Sequence, residues 1–226
     1  MEDKRRNMKI KEDKGQKNGR RRGLAERLLT SVFFCLLLSS SVSLLSCSEE
    51  ETEEDEFENW QERNDNAVNE WAANNAYTKI LTYTKDATAS GLKNSDYIYV
   101  EVLESGNGTT SPLYSDTCRV AYRGRFIPTK NYPEGYVFDS SSLGTFDWTT
   151  CGTADFCADS QLRDGFSTAL QNMHIGDHWR VRFSYMLGYG TSTYSSIPAY
   201  SDLIFDIALL DFWHQGERRG TFKSRK

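Results

Sequence analysis

"GFSTALQNMHIGDHWRVRFS", residues 165–184, holds a helix, a stop and a strand in sequence. Gly165–Met173 reads as a short helix, ended by the Gly176-Asp177 turn. His178–Ser184 then alternates, which predicts a strand with Trp179, Val181 and Phe183 facing inward. Around this unit the same period of two recurs. Tyr97–Leu103 ("YIYVEVL") sets Ile98, Val100 and Val102 on one side, and Thr117–Phe126 ("TCRVAYRGRF") alternates again after the turn-rich break "ESGNGTTSP". Leu203–Phe212 ("LIFDIALLDF") is a longer apolar strand. Four or five antiparallel strands and one short helix make an α+β domain over residues 97–213, a sheet wrapped around the helix. Such a sheet leaves a cavity at one end, where loop aromatics matter. "GYVFDSSSLGTFDW", Gly135–Trp148, supplies them: Phe138, Phe146 and Trp148 sit among Ser and Gly.

The N-terminal part has other tasks. Residues 1–27 carry eleven Lys/Arg against five Asp/Glu, and Leu28–Leu45 ("LLTSVFFCLLLSSSVSLL") is apolar or small throughout. That order reads as a secretory signal peptide over 1–46, since the apolar run is barely long enough for a permanent span. Leu44-Leu45-Ser46-Cys47 resembles the lipobox of bacterial lipoproteins, which makes Cys47 the lipidated N-terminus of the mature chain. The whole chain has 27 Lys/Arg and 32 Asp/Glu; without residues 1–46 the net charge falls to about −11. Eight of the acids lie in Glu49–Glu58, inside a tether spanning 47–58. The run is a solvated spacer by composition, and it equally resembles an acidic export signal for the outer face of an outer membrane. Nothing is basic enough to suggest nucleic acid.

Residues 57–82 place Phe57, Trp60, Ala67, Val68 and Trp71 at helical spacing, which predicts an amphipathic helix. Its apolar stripe docks either on the following domain or on a second copy as a dimer. A linker follows over 83–96, and 214–226 is a basic tail. Cys35 leaves with the signal and Cys118 reads as a buried strand thiol. Cys151 and Cys157 bracket a short loop in a compartment that permits disulfides, so they are expected to pair. The three histidines do not converge, and neither a metal nor another cofactor is expected.

The domain's pieces, taken in order, are more specific than any one of them. Val120-Ala121-Tyr122-Arg123-Gly124 matches V-x-Y-x-G, and Phe138-Asp139-Ser140-Ser141 matches F-D-S-S. Leu162, Gly165-Phe166 and Leu170–Asp177 match an apolar pair, G-W/F and L-x-x-M-x-x-G-D. Gly188-Tyr189-Gly190 follows, then Ile197-Pro198 and Leu203–Leu209. This series resembles the FKBP-type peptidyl-prolyl cis-trans isomerases, here in a bacterial lipoprotein form. The resemblance implies an FKBP-like antiparallel sheet around a short helix, preceded by the amphipathic helix. It also implies a cup for a proline ring: Phe166 as floor, Tyr122, Phe138, Phe146, Trp148, Leu162 and Phe205 as walls, and Ile197 closing the rim. Arg163, where the family commonly has isoleucine, would offer its backbone N–H to the ligand. Tyr189 would give its hydroxyl to a substrate carbonyl, and Asp139 would lie near the twisting bond with Phe138 beside it. Ala199 replaces a usual second proline, and residues are inserted between Trp148 and Gln161.

The implied activity is prolyl isomerisation on proline-containing segments of exported proteins, from a lipid anchor in the cell envelope, with macrolides as inhibitor candidates. The alternative is a catalytically weak peptide-binding or chaperone lipoprotein using the same cup; a third reading is an assembly lipoprotein that binds through the helix 57–82. The chemistry needs no nucleophile, because rotation breaks only amide resonance, a barrier of about 18–20 kcal/mol.

Overall fold

The computed structural model describes residues 56–159 and 162–217. The expected signal peptide, Cys47, nearly all of the acidic tether and the end of the basic tail lie outside the described residues. Among the described residues no helix is long and apolar enough to cross a membrane.

Helix α1 spans Trp60–Ala73 and strand β1 Thr78–Leu81. Strands β2 (Tyr97–Glu104), β3 (Thr117–Arg125), β4 (Val137–Ser140) and β5 (Ala154–Cys157) precede helix α2 (Asp164–Asn172), and β6 (His178–Phe183) and β7 (Leu203–Trp213) complete the fold. The order across the sheet is β1-β2-β6-β7-β3-β4, all antiparallel, with β5 also paired to β3. β3 therefore shares one edge between two short partners: Thr117–Val120 against β5 and Arg123–Arg125 against β4.

The inner face of the sheet wraps α2. Val120, Tyr122, Val181, Phe183, Phe205 and Ile207 meet Phe166, Ala169, Leu170 and Met173 in one core. The outer face of the same strands is charged, yet also buried at its centre. Asp206 takes Arg180 at 2.7 Å and both Arg123 and Arg125 at 3.1 Å. Burial opposes ionisation of Asp206, but these guanidiniums overcome it and hold its carboxyl below the usual range.

The expected helix 57–82 is two elements. α1 ends at Ala73, with the N–H of Asn74 closing on the Trp71 carbonyl, and residues 78–81 instead extend the sheet as β1 against β2. The apolar stripe of α1 docks on the following domain. Trp60 meets Phe126 edge-to-face at 6.2 Å, and Trp71 meets Tyr99 at 6.2 Å. The Trp60 indole N–H donates to Ser201 Oγ at 2.9 Å, and Asn64 Oδ1 accepts from the Asp202 N–H at 2.7 Å. The stripe thus docks within the chain, the first of the two placements that its spacing allowed. α1 also explains why Tyr99 is as buried as its neighbours Ile98 and Val100. β2 is covered on both faces there, so strict alternation fails. Val102, expected inside, is half exposed where the register slips between Val102 and Glu104.

The expected Cys151–Cys157 disulfide is not formed in this structure, and Cys118 is buried in β3. The residues between Cys151 and Cys157 are not a closed loop. Ala154–Cys157 is the strand β5, and an extended strand rises about 3.3 Å per residue. The Cys157 thiol instead donates to the Ser115 carbonyl at 3.7 Å, and the Cys151 thiol to the Gly152 carbonyl at 3.4 Å.

Candidate functional site

A cavity of about 110 Å³ opens beside the start of α2, lined by Tyr122, Asp139, Phe156, Leu162, Arg163, Phe166, Tyr189, Leu203 and Phe205. Its apolar part is a box of four rings. Phe166, from the first turn of α2, stands edge-on to Phe205 at 5.0 Å, to Tyr122 at 6.1 Å and to Phe156 at 6.4 Å. Tyr122 and Phe156 close the remaining side at 5.6 Å. Edge-to-face packing suits the aromatic quadrupole and keeps the rings upright rather than collapsed.

Two glycines make room for this geometry. A Cβ on Gly124 would strike the rings of Phe205 at 2.5 Å and Phe138 at 2.7 Å, and one on Gly165 would run into the ring of Phe183. The motif glycines thus let rings approach the backbone of β3 and of α2.

The polar groups lie at the mouth. Tyr122 donates its hydroxyl to Asp139 Oδ2 at 2.9 Å; burial, then this carboxylate, pushes its pKa up. Ser141 pins the turn after β4, its hydroxyl accepting from the Tyr122 N–H at 3.0 Å and its N–H donating to the Tyr122 carbonyl at 2.9 Å. Asp139 is therefore held at the cup by both its own bond and its neighbour's. Tyr189 enters from the turn after β6. Burial raises its pKa against the opposing pull of Arg163, so its hydroxyl stays protonated and able to donate at neutral pH. The Arg163 guanidinium lies 4.5 Å from the centre of the Tyr189 ring and 5.2 Å from that of Tyr194, and these two rings stack at 4.9 Å.

Of the residues singled out from sequence, Tyr122, Asp139, Leu162, Arg163, Phe166, Tyr189 and Phe205 meet in this cavity. Phe138 does not line it: it stands behind the wall, 5.5 Å from Phe205 and stacked on Phe126 at 5.0 Å. Ile197 is buried in the core near the hairpin, bridged to Tyr194, and is also absent from the lining. Phe146 and Trp148 are elsewhere. The chain leaves the pinned Ser141 toward the outer face of β3, where Phe146 lies 5.2 Å from the Arg123 guanidinium. Trp148 lies 5.6 Å from His178 and donates its indole N–H to Glu104 Oε1 at 2.9 Å. The wall assigned to them belongs to Phe156. Its signal was weak, a four-residue strand in what reads as an insertion. Leu203 was legible only as part of an apolar run. Among the described residues no group of His, Cys, Asp and Glu is arranged to hold a metal ion.

With this geometry in hand, comparisons with known proteins add a family. Residues 108–210 match the model of the FKBP-type peptidyl-prolyl cis-trans isomerases. The chain is 29% identical over 196 residues to a macrophage infectivity potentiator of Trypanosoma cruzi, covering 86% of this chain and 89% of that protein. It is 31% identical over 128 residues to the FKBP-type isomerase FkpA of Escherichia coli, 56% of this chain, and spans only 42% of that protein's length. The crystal structure of Escherichia coli FkpA superposes with a TM-score of 0.51 at 23% identity, covering 82% of this chain and 70% of that one. A Pseudomonas syringae isomerase structure gives 0.50 at 24% identity, covering 69% and 95%. These two structural likenesses speak to the fold.

Proposed function

We propose that this chain, which belongs through residues 108–210 to the FKBP-type peptidyl-prolyl cis-trans isomerases, turns X-Pro bonds with the proline ring seated in the box formed by Tyr122, Phe156, Phe166 and Phe205. The observation that carries this reading is the cavity's form: rings below, a protonated phenol and a restrained carboxylate above. Its size is consistent. A protein cavity of about 150 Å³ holds a benzene ring, so about 110 Å³ suits one five-membered ring.

The uncatalysed bond isomerises over tens to hundreds of seconds. A planar amide carries more charge separation than a twisted one, so an apolar, water-poor cup disfavours the planar ground state. The Tyr189 hydroxyl donates to the carbonyl of the residue before proline, and Asp139 faces the bond as it turns. Interactions stronger in the twisted state than in the flat one lower the barrier, and each tenfold gain needs about 1.4 kcal/mol. Phe138 acts from behind, holding Phe205 upright. The natural substrates are proline-containing segments of exported proteins, and a macrolide that mimics the prolyl group would compete for the cup.

The signal-like residues 1–46 and the lipobox-like Leu44–Cys47 support placing the enzyme on a lipid anchor in a bacterial envelope, with the acidic tether between. Palmitate labelling that is lost in Cys47→Ala tests the anchor. The activity is tested with a blocked Ala-Pro tetrapeptide: saturable acceleration is expected, and a rate no faster than the spontaneous one rejects the proposal.

A further inference from the structure

Among the described residues, Arg163 is a cation at the rim of the cup that pairs with no carboxylate. Its guanidinium lies over the rings of Tyr189 and Tyr194, and it forms no ion pair among the described residues. Two acids, Asp164 beside it in the chain and Asp139 in the same cavity lining, are otherwise engaged. Asp139, on the other side of the cavity, accepts from Tyr122 at 2.9 Å, and Asp164 accepts from the Tyr83 hydroxyl at 3.3 Å. By contrast, the buried arginines of the outer face share the carboxylate of Asp206. A guanidinium stacked on aromatic rings is weakly hydrated, and its five N–H donors exceed what the Tyr189 hydroxyl beside it can accept, leaving others for a carboxylate. The stacked pair also limits its conformations, so less side-chain entropy is lost when a partner arrives.

We propose that Arg163, held on Tyr189 and Tyr194, makes this isomerase select substrates with Asp or Glu immediately before the proline. The inference rests on the reading of the cup given above. With the proline ring in the box and the preceding carbonyl on the Tyr189 hydroxyl, the preceding residue's Cα lies against Tyr189. Its side chain is then the one nearest the guanidinium, 4.5 Å above that ring. An exposed ion pair of this type contributes modestly, on the order of a fivefold preference, and salt screens it. The opposite charge is disfavoured by a similar factor, so Lys-Pro is the poorest substrate. Tyr194 is half exposed and serves by fixing the guanidinium rather than by touching proline; it is a positioning residue.

The test is a protease-free isomerase assay on tetrapeptides with uncharged, blocked ends. Glu, Ala or Lys precedes proline in three peptides, and a fourth has Glu after it. In the wild-type enzyme kcat/KM should fall in the order Glu-Pro, Ala-Pro, Lys-Pro, with the spread shrinking in 0.5 M salt by the screening just described. The ratio of Glu-Pro to Lys-Pro, read within each variant so that general losses cancel, should collapse in Arg163→Gln and invert in Arg163→Glu. Tyr194→Ala should shrink the ratio, while Tyr194→Phe restores it, an outcome that a merely structural role would not give. Ala-Pro turnover with equal rates for Glu-Pro and Lys-Pro overturns the selectivity alone. So does a preference found only for Glu after proline, or a ratio unchanged in Arg163→Gln. No turnover of any peptide overturns the isomerase reading and this inference with it.

Discussion

The two faces of the central strands solve the same packing problem in opposite ways. On the inner face, Tyr122, Val181 and Phe205 meet α2 through rings and aliphatic groups. One position along, Arg123, Arg180 and Asp206 form a charged layer on the outer face. Apolar packing is non-directional, so rings can surround an unfilled space without leaving a polar group unsatisfied. A buried charge is costly unless it is paired, so the outer face closes around Asp206 instead. The cup therefore sits on the face that can bear a cavity, and the charged face serves cohesion. Stability and turnover should accordingly separate by face when residues are changed.

The widest separation is expected at Asp206. Asp206→Ala strips the shared partner from three guanidiniums and should cost about 3–5 kcal/mol in urea denaturation, with kcat/KM per folded molecule close to wild type. Equal losses of rate and stability would join the two faces after all. The next effect concerns Asp202, under α1. Burial raises its carboxyl to about 8, and Tyr185 N–H, donating to it at 2.8 Å, offsets only part of that. Between the unfolded value near 3.8 and about 8, the folded chain holds a proton that the unfolded chain has released. Stability from this group is therefore complete below about pH 4 and falls as pH rises, at up to about 1.4 kcal/mol per unit, levelling off above about pH 8. Thermal melts of wild type against Asp202→Asn, which should lack this slope, check it.

Smaller effects belong to the inner face. Phe166→Leu keeps most of the volume and should cost under about 1.5 kcal/mol of stability, yet it removes the ring from the cup's floor. A drop in kcat/KM of about tenfold or more is expected from a loss of about 1.4 kcal/mol of differential binding. Tyr189→Phe is the finest probe: one hydrogen bond worth about 1 kcal/mol, hence a rate several-fold lower, with stability within about 0.5 kcal/mol. An unchanged rate there would move the donor elsewhere.

Which parts were legible in sequence follows the same division. β3, β6, β7 and α2 are long or strongly periodic, and their motif residues Tyr122, Gly124, Gly165 and Phe166 have steric reasons to be where they are. Asp139 and Tyr189 follow from short turns fixed against β3 and β6. The misassigned residues lie where local pattern is thin. β5 has four residues, too few for a period, and its Phe156 was hidden in apparent insertion. Phe146 and Trp148 have the right chemistry for a wall, but the turn at Ser141 sends them to the charged face. Composition cannot state the direction in which a loop departs. β1 failed for a different reason: "TKIL" is neutral between helix and strand, and the free edge of β2 decided.

The clasp between Trp60 and Ser201 has a mechanical consequence. Ser201 in turn donates to the Pro198 carbonyl at 2.7 Å, and the adjacent Tyr200 N–H donates to the Gly190 carbonyl at 3.1 Å, one residue from Tyr189. A short train of linkages thus runs from the entry of α1 to the lip of the cavity. Tension applied ahead of Trp60 would therefore reach that lip through these bonds, beside Tyr189.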